Sequence, residues 1–466
     1  MRRRRVVQAV DAVGGWSVPR PRVVLPALQH PAQVVVLGFS VVITVGTVLL
    51  LLPVSRAGSG RASLVDALFT STSAVCVTGL VVVDTPEHWS TTGHVVILAL
   101  IQVGGFGIMA MATLLALVVS QRVGLRDRLN AAAESQALGL GGVREVLLGV
   151  ARTSLLFEVA GALVLAVRLA VTHDEPAGRA AWLGVFHAVS AFNNAGFALY
   201  SDSLVGFADD PVVTLSVSVL VFAGALGFPV LIELRRGWRT PGRWTLHTKL
   251  VTTTMGALFV VGTAMYLVLE WSNRRTLGAM SLPDKLVNAV VLSIQPRSGG
   301  FNTVDTGALN AETLLGTDVL MFIGAGNAGT GGGIKVTTFA VLLFVIITEV
   351  RGDASVNAFS RRIPREVQRQ ALSVALMSIA VVLTSTALLL LDTDFTLDQV
   401  LFEAISAFCT VGLSTGITGE LGTAGHLLLT ALMVVGRLGP ITFASAIALR
   451  SRPRRYELPV ERPMIG

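Results

Sequence analysis

Charge is scarce in this chain of 466 residues: 14% are Asp, Glu, Lys or Arg, and 52% are hydrophobic. A soluble globular protein carries about 25% charged residues, so the composition excludes a chain that lies wholly in water. The two cysteines, Cys76 and Cys409, cannot form a disulfide framework. No His, Cys or Asp cluster has metal-site spacing, and no nucleophile stands beside a partnered base. The sequence therefore does not predict an enzyme.

Long apolar runs are what the chain has in abundance. About 20 apolar residues are needed for one helix to cross a bilayer. The hydropathy predicts long helices at 33–53, 94–121, 146–170, 212–234, 248–270, 316–349, 367–391 and 424–450. The first run lacks a small-residue cleavage site, so we expect it to be a retained span and not a signal peptide. The predicted class is an all-α integral membrane protein.

Basic residues mark one side of these helices. Of the 36 Lys and Arg residues, 26 lie in five segments predicted to face inward. These segments are 1–32, 121–153, 232–249, 349–369 and 450–466. This positive-inside bias predicts that both termini are cytoplasmic. The net charge of +7 is thus a signal of topology, and nucleic acid is not an expected partner.

One short pattern occurs four times, each time between two apolar runs. A short apolar stretch ends at a glycine, and in three copies Phe and Ser stand ten and six residues before it. The glycines are Gly79, Gly196, Gly300 and Gly412, spaced 117, 104 and 112 residues apart. In the copy that ends at Gly300, Val290 and Ile294 replace Phe and Ser. The repeating unit is span, short helix, glycine loop, span.

A helix of about 12 residues is too short to cross a bilayer, so each short helix is expected to be re-entrant. Irregular backbone at that depth must be buried or line a water-filled cavity. Glycine lets backbone carbonyls face such a cavity, and carbonyl rings bind monovalent cations. We therefore predict eight transmembrane helices and four pore helices around a pseudo-fourfold pore. The predicted units are the cytoplasmic segment 1–32, repeats 33–121, 146–234, 248–349 (with a broken last helix) and 367–450, and the tail 451–466.

The repeated motifs resemble the Trk/Ktr/HKT superfamily of potassium transporters. The likeness runs from about residue 33 to the C-terminus and is carried by all four loops. Their matching segments are Ala74–Asp84, Asn193–Phe197, Arg297–Thr303 and Cys409–Ser414. Trk-type members carry an extra helix pair at the N-terminus that this chain is not expected to have, so it looks more like the membrane subunit of a Ktr-type system. Ser298-Gly299 stands where many relatives have Thr-Ala.

The resemblance implies the membrane subunit of a bacterial potassium uptake system, in the inner membrane. It implies a homodimer with one pore per chain, with the tail 451–466 in the dimer contact. It also implies a cytoplasmic KtrA-like ring of regulatory subunits that binds the nucleotide. Potassium is then the substrate, and this chain is expected to bind no cofactor. The expected filter residues are Val77, Thr78, Gly79, Asn194, Ala195, Gly196, Ser298, Gly299, Gly300, Thr410, Val411 and Gly412.

Six glycines in ten residues interrupt the apolar run 316–349 and predict a broken helix. They are Gly324, Gly326, Gly329, Gly331, Gly332 and Gly333. The first three match a dinucleotide fingerprint, but the strand that this motif requires does not precede them. We expect a flexible gate below the filter, in agreement with the intramembrane loop of the family. Lys335 follows it, and Arg437 is expected near mid-membrane. The matching Arg in relatives implies an electrostatic barrier; pairing with backbone carbonyls is the alternative.

The transport mode stays open at this point. A passive, potassium-selective pore is one reading, and a sodium- or proton-coupled potassium symporter of the same fold is another. Coupling would have to involve Glu158, which is predicted at membrane depth, or the filter side chains.

Overall fold

The computed structural model of the chain describes residues 31–58, 63–121 and 143–439, which form fifteen α-helices and one β-hairpin. In chain order the helices are α1 (Pro31–Leu51), α2 (Leu64–Cys76), α3 (Thr85–His88), α4 (Thr91–Gln121), α5 (Val143–Thr172), α6 (Ala177–Phe192), α7 (Pro211–Leu226), α8 (Phe228–Gly237), α9 (Leu246–Glu270), α10 (Leu282–Ile294), α11 (Ala311–Phe322), α12 (Val336–Arg351), α13 (Arg365–Leu390), α14 (Leu397–Phe408) and α15 (Thr423–Leu438). Strands β1 (Asn357–Ala358) and β2 (Arg361–Arg362) pair antiparallel between α12 and α13. The all-α class is confirmed.

Four short helices, α2, α6, α10 and α14, stand between longer ones where short helices were predicted. Hydroxyl side chains cap three of them, and each accepts a hydrogen bond from a first-turn amide that would otherwise be unpaired. The pairs are Ser63 with Asp66, Ser281 with Asp284 and Thr396 with Gln399. Each short helix ends three to six residues before its repeated glycine. Local sequence signals therefore account for where these helices begin and end.

The four units pack in a closed ring. Within the first unit, α2 lies against both α1 and α4. The short helices α6 and α14 are flanked in the same way, by α5 and α7 and by α13 and α15, whereas α10 lies against α9. Between successive units, α4 packs on α6, α7 on α10, and α11 on α14. The ring closes because α15, from the last unit, packs on α2, from the first. The loops that follow the short helices meet at the centre.

Three of the described helices are long and apolar enough to cross a membrane: Leu147–Thr172 within α5, the whole of α9 and the whole of α13. The pair α7 and α8 would make a fourth span, although it is bent by 100°. Shorter apolar stretches of α1, α4 and α15 cover Val35–Leu51, Thr91–Gly107 and Thr423–Leu438. These helices support a multi-pass membrane protein, and the total of eight spans stays a prediction.

Two long helices predicted from hydropathy are interrupted. The helix predicted at 212–234 is instead α7 and α8, which meet at Gly227, where φ is 89°. A β-carbon on Gly227 would lie 2.5 Å from the carbonyl oxygen of Asn327, so this turn packs against the glycine-rich segment between α11 and α12. The break predicted in 316–349 is present, because α11 ends at Phe322 and α12 begins at Val336.

The last helix is shorter than predicted within the described residues. Instead of continuing to residue 450, α15 ends at Leu438, and Gly439 adopts a φ of 83°. Arg437 therefore lies in the last turn of a helix and not within a longer one. The rest of that predicted helix, the tail 451–466 and residues 1–30 lie outside the described residues.

The span α4 approaches the end of α2 very closely. A β-carbon on Gly104 would lie 2.0 Å from the Val75 carbonyl oxygen, whereas one on Gly107 would meet nothing within 4 Å. We expect Gly104→Ala to lower the melting temperature of the detergent-solubilised protein, because overpacking costs about 1–3 kcal/mol. The matched control Gly107→Ala should keep or slightly raise it, since alanine favours helix over glycine by up to about 1 kcal/mol. Equal melting temperatures for the two variants would contradict this packing.

Candidate functional site

The loops after the four short helices share one backbone conformation. In each, the repeated glycine has a positive φ, and so does the residue two positions before it. The φ angles are 55° and 94° for Val77 and Gly79, 61° and 69° for Asn194 and Gly196, 68° and 76° for Ser298 and Gly300, and 48° and 95° for Thr410 and Gly412. The sequence repeat is thus also a conformational repeat.

Two of these left-handed residues, Val77 and Thr410, have β-branched side chains that disfavour such backbone. Strain of this kind costs on the order of 1–3 kcal/mol for each residue and persists only where the surroundings impose it. Both residues are fully buried. Strained backbone of this sort clusters at functional sites, and here it lies in two of the four predicted filter segments.

The repeated glycines form a closed ring of contacts. A β-carbon on Gly79, Gly300 or Gly412 would overlap the carbonyl oxygen of the residue just before another repeated glycine, and one on Gly196 would overlap the Gly300 α-carbon (3.0 Å) and touch the Gly299 carbonyl oxygen. The distances are 2.4 Å from Gly79 to Ala195, 3.4 Å from Gly196 to Gly299, 2.5 Å from Gly300 to Val411 and 2.2 Å from Gly412 to Thr78. The structure therefore brings the four predicted filter segments together, with a carbonyl from each loop at the point of contact.

A buried serine supports three of the loops from behind. Its hydroxyl bonds the backbone at or just after the repeated glycine. The bonds are Ser73 to the Leu80 carbonyl (2.8 Å) and the Gly79 amide (3.1 Å), Ser190 to the Phe197 carbonyl (2.8 Å), and Ser406 to the Gly412 amide (3.1 Å). These bonds explain the shared serine position, because buried backbone groups need a partner once the helix has ended.

The third loop uses Gln295 in place of the serine, a residue that the repeated motif did not predict. Gln295 Oε1 accepts a hydrogen bond from the Phe301 amide at 3.3 Å. Its Nε2 donates to Ser218 Oγ, on the neighbouring α7, at 3.4 Å. A signal was present in the sequence: Gln295 directly follows Ile294, which occupies the serine position of the other repeats.

The glycine loop, residues 323–335 between α11 and α12, lies against three of the four filter segments. It contains all six predicted gate glycines. Thr330 Oγ1 donates to Asn194 Oδ1 at 2.6 Å, and the Gly332 amide donates to Ser298 Oγ at 3.0 Å. A β-carbon on Gly332 would lie 2.2 Å from Thr410 Oγ1. The second, third and fourth loops are thus each in contact with the glycine loop.

Two cationic side chains bind the backbone of the glycine loop. Arg437 Nη1 donates to the Thr330 carbonyl, and Lys335 Nζ donates to the Gly331 carbonyl. Arg437 is buried, and its Nε and Nη2 have no hydrogen-bond partner among the described residues. The pairing of Arg437 with a carbonyl, which the sequence left as an alternative, is present in this structure. Its electrostatic role stays a prediction.

Two buried carboxylates lie beside the loops. Glu158, on α5, accepts hydrogen bonds from Gln102 and Asn193. Glu403, on α14, accepts hydrogen bonds from three residues that follow Gly412: Ser414, Thr415 and Thr418. Within the described ranges, no group of His, Cys, Asp and Glu side chains has the geometry of a metal site.

Comparison with known proteins identifies relatives over nearly the whole chain. The sequence profile of the TrkH family, described as a cation transport protein, matches residues 15–452. The chain is 39% identical over 418 residues to the Ktr system potassium uptake protein B of Bacillus subtilis (strain 168), with 90% of this chain and 93% of that protein covered. It is 31% identical over 444 residues to the potassium/sodium uptake protein NtpJ of Enterococcus hirae, with 94% and 97% covered.

The three-dimensional comparison agrees. The crystal structure of the potassium transporter TrkH from Vibrio parahaemolyticus matches with a TM-score of 0.70 and 19% identity, over 90% of this chain and 84% of that one. The TrkH-like fold and the predicted resemblance to Trk and Ktr proteins are confirmed, and the family is one of cation transporters and not of enzymes. With profile, relatives and fold in agreement, the chain belongs to the TrkH family of cation transport proteins.

Proposed function

We propose that this chain is the ion-translocating membrane subunit of a bacterial potassium uptake system. The observation that carries the proposal is the closed ring in which four glycines lie against carbonyl oxygens of neighbouring loops. A ring of backbone carbonyls can replace the hydration shell of a monovalent cation. The relative from Bacillus subtilis is named for potassium uptake, which supports potassium as the ion.

The proposed selectivity filter consists of the segments 77–79, 194–196, 298–300 and 410–412. Each short helix ends one to four residues before its segment begins, so four helix C-termini add partial negative charge around a bound cation. The hydroxyl oxygens of Thr78 and Thr410 are buried without a hydrogen-bond partner among the described residues. They are further oxygen ligands within the proposed filter.

The proposed architecture has eight membrane crossings in four repeats, 33–121, 146–234, 248–349 and 367–450. Each repeat contributes one re-entrant pore helix. The protein lies in the bacterial inner membrane, with both termini on the cytoplasmic side. The order of long and short helices supports the repeats. The concentration of Lys and Arg in the five predicted inner segments supports the orientation.

The proposed gate is the glycine loop with Lys335 and Arg437. Because this loop touches the filter residues of three repeats, it would obstruct an ion that leaves the filter on that side. The Arg437 charge would add an electrostatic barrier to cations there. We propose that the loop moves when the transporter opens, since glycine-rich backbone is the least costly to rearrange.

The proposed assembly is a homodimer that works with a cytoplasmic ring of nucleotide-binding regulatory subunits. The relative's name, a Ktr system protein B, supports a system of several components. In this scheme the nucleotide binds the partner, and potassium is the only ligand of the membrane chain. The predicted dimer contact of the tail lies outside the described residues.

A second candidate is a potassium symporter driven by sodium. It is favoured by the relative from Enterococcus hirae, which is named a potassium/sodium uptake protein. The two candidates differ in one observable: only the symporter would move potassium against its gradient in response to an imposed sodium gradient.

We expect Gly412→Ala to abolish selective transport, because its β-carbon would lie 2.2 Å from the Thr78 carbonyl oxygen. The measurement is uptake of radioactive rubidium by liposomes that hold the purified chain. Excess potassium, but not sodium, should block uptake by the unaltered protein, and the variant should lose this discrimination. The control is Gly256→Ala on α9, where a β-carbon meets nothing within 4 Å. Wild-type discrimination in Gly412→Ala would contradict the proposed filter.

We expect Arg437→Gln to raise rubidium uptake several-fold, because it removes a buried positive charge beside the glycine loop. Arg437→Lys keeps the charge and should keep uptake near the wild-type level. The same liposome assay measures both variants, with melting temperatures as a check on folding. If both variants reduce uptake and melt early, Arg437 has a structural role and the proposed barrier is wrong.

A further inference from the structure

The position three residues before each repeated glycine is buried, and the four repeats fill it differently. Its residues are Cys76, Asn193, Arg297 and Cys409. Arg297 donates to the carbonyls of Met255 and Ser293, within the third unit. Among the described residues, only the second repeat bonds a carboxylate from this position. The backbone conformation is repeated in all four loops, but the side chains at this supporting position differ from repeat to repeat.

The second loop is supported by a network of three side chains, in which Asn193 and Glu158 are buried and Gln102 is half-buried. Asn193 Nδ2 donates to Glu158 Oε1 at 3.1 Å and to Gln102 Oε1 at 2.9 Å. Gln102 Nε2 donates to the two Glu158 oxygens at 3.1 and 3.3 Å. The network leaves no room beside it, because a β-carbon on Gly105 would lie 2.1 Å from Asn193 Oδ1.

The three residues come from three separate elements. Gln102 is on α4, in the first unit, Glu158 is on α5, in the second unit, and Asn193 caps the end of α6. Asn193 is followed at once by Asn194, the left-handed residue that begins the second filter segment. The carboxylate therefore connects the start of this segment to two long helices.

The conformation of the second loop affects its neighbours in the ring. The carbonyl oxygen of Ala195 lies against Gly79, and Gly196 lies against Gly300. A shift of the turn at Asn194 would therefore move the contacts with the first and third loops. Selectivity among ions of equal charge depends on the positions and number of such oxygens.

We propose that Glu158 is a positioning residue for ion selectivity, which holds the second filter loop in place by accepting hydrogen bonds from Asn193 and Gln102. This inference rests on the proposed function of the ring as a potassium filter. Glu158 acts from behind the loop and contributes as a hydrogen-bond acceptor, without binding the transported ion.

The experiment measures rubidium uptake by liposomes that hold the full-length chain, with potassium and sodium as competitors. The readout is the ratio of the two inhibition constants. This ratio belongs to each working molecule and does not depend on how much protein folds. Glu158→Ala should reduce it about tenfold, because Gln102 Nε2 loses both carboxylate acceptors and Asn193 Nδ2 keeps only Gln102 Oε1 and the Val189 carbonyl. Glu158→Gln should stay within about threefold of the wild type, since its amide oxygen can still accept from Asn193.

Asn193→Ala tests the same network from the loop side, and it replaces Glu158→Ala as the test if that variant does not fold. It should reduce the ratio by a similar factor, and the double variant should be no worse than either single one, because the two residues share one interaction. The control is Glu270→Ala. Glu270 is fully buried, and its hydrogen-bond partners lie outside the four filter segments: Asn273, Thr276, Asn310 and Thr313. This variant should melt earlier with an unchanged ratio.

Three results would overturn the inference. A wild-type ratio in both Glu158→Ala and Asn193→Ala would show that the network does not set selectivity. Equal loss in Glu158→Gln and Glu158→Ala would show that charge, and not hydrogen bonding, matters. An equal shift in Glu270→Ala would show a general effect of removing a buried carboxylate. Failure of potassium to block uptake by the unaltered protein is a separate outcome, which refutes the proposed function itself.

Discussion

Contact between glycine and carbonyl oxygen in four loops is the constraint on which the rest of this structure depends. Loops can meet in this way only if no side chain stands between them, which is why a glycine recurs at the same place in each repeat. Backbone that leaves a helix at membrane depth must also have its polar groups satisfied by protein. Buried side chains do this from behind the loops: Ser73, Ser190, Gln295 and Ser406. The long helices then surround these loops, and the contact between α15 and α2 closes the ring.

The parts of the fold that depend on local sequence could be predicted. The long apolar runs predicted the long helices, and the fourfold repeat predicted the short helices and their loops. The cluster of six glycines predicted the break between α11 and α12. The bend at Gly227 could not be predicted, because it lies against the distant glycine loop. The end of α15 at Leu438 could not be predicted either, because the apolar run in the sequence continues past this residue. The role of Gln295 could not be predicted from the repeat, because it differs from the serine of the other repeats in residue type and lies one position later.

The site combines a symmetric backbone with asymmetric surroundings. The four loops share their φ pattern, yet the glycine loop touches three of them. Among the described residues, a carboxylate accepts from the position three residues before the repeated glycine only in the second loop. The second loop bonds both the glycine loop, through Asn194, and the long helices, through Asn193. In the proposed mechanism, movement of the gate would therefore change the hydrogen bonds of the second loop through Asn194 and those of the third loop through Ser298. A symmetric ring would bind the ion, and its asymmetric surroundings would control passage.

The central claim is that the four loops bind a monovalent cation through their carbonyls. The most direct test is a crystal structure of the purified chain in rubidium, with anomalous scattering used to locate the ion. We predict anomalous density at the centre of the ring formed by Gly79, Gly196, Gly300 and Gly412, which is lost when sodium replaces rubidium. Density that lies only at acidic surface side chains, with none inside the ring, would contradict it.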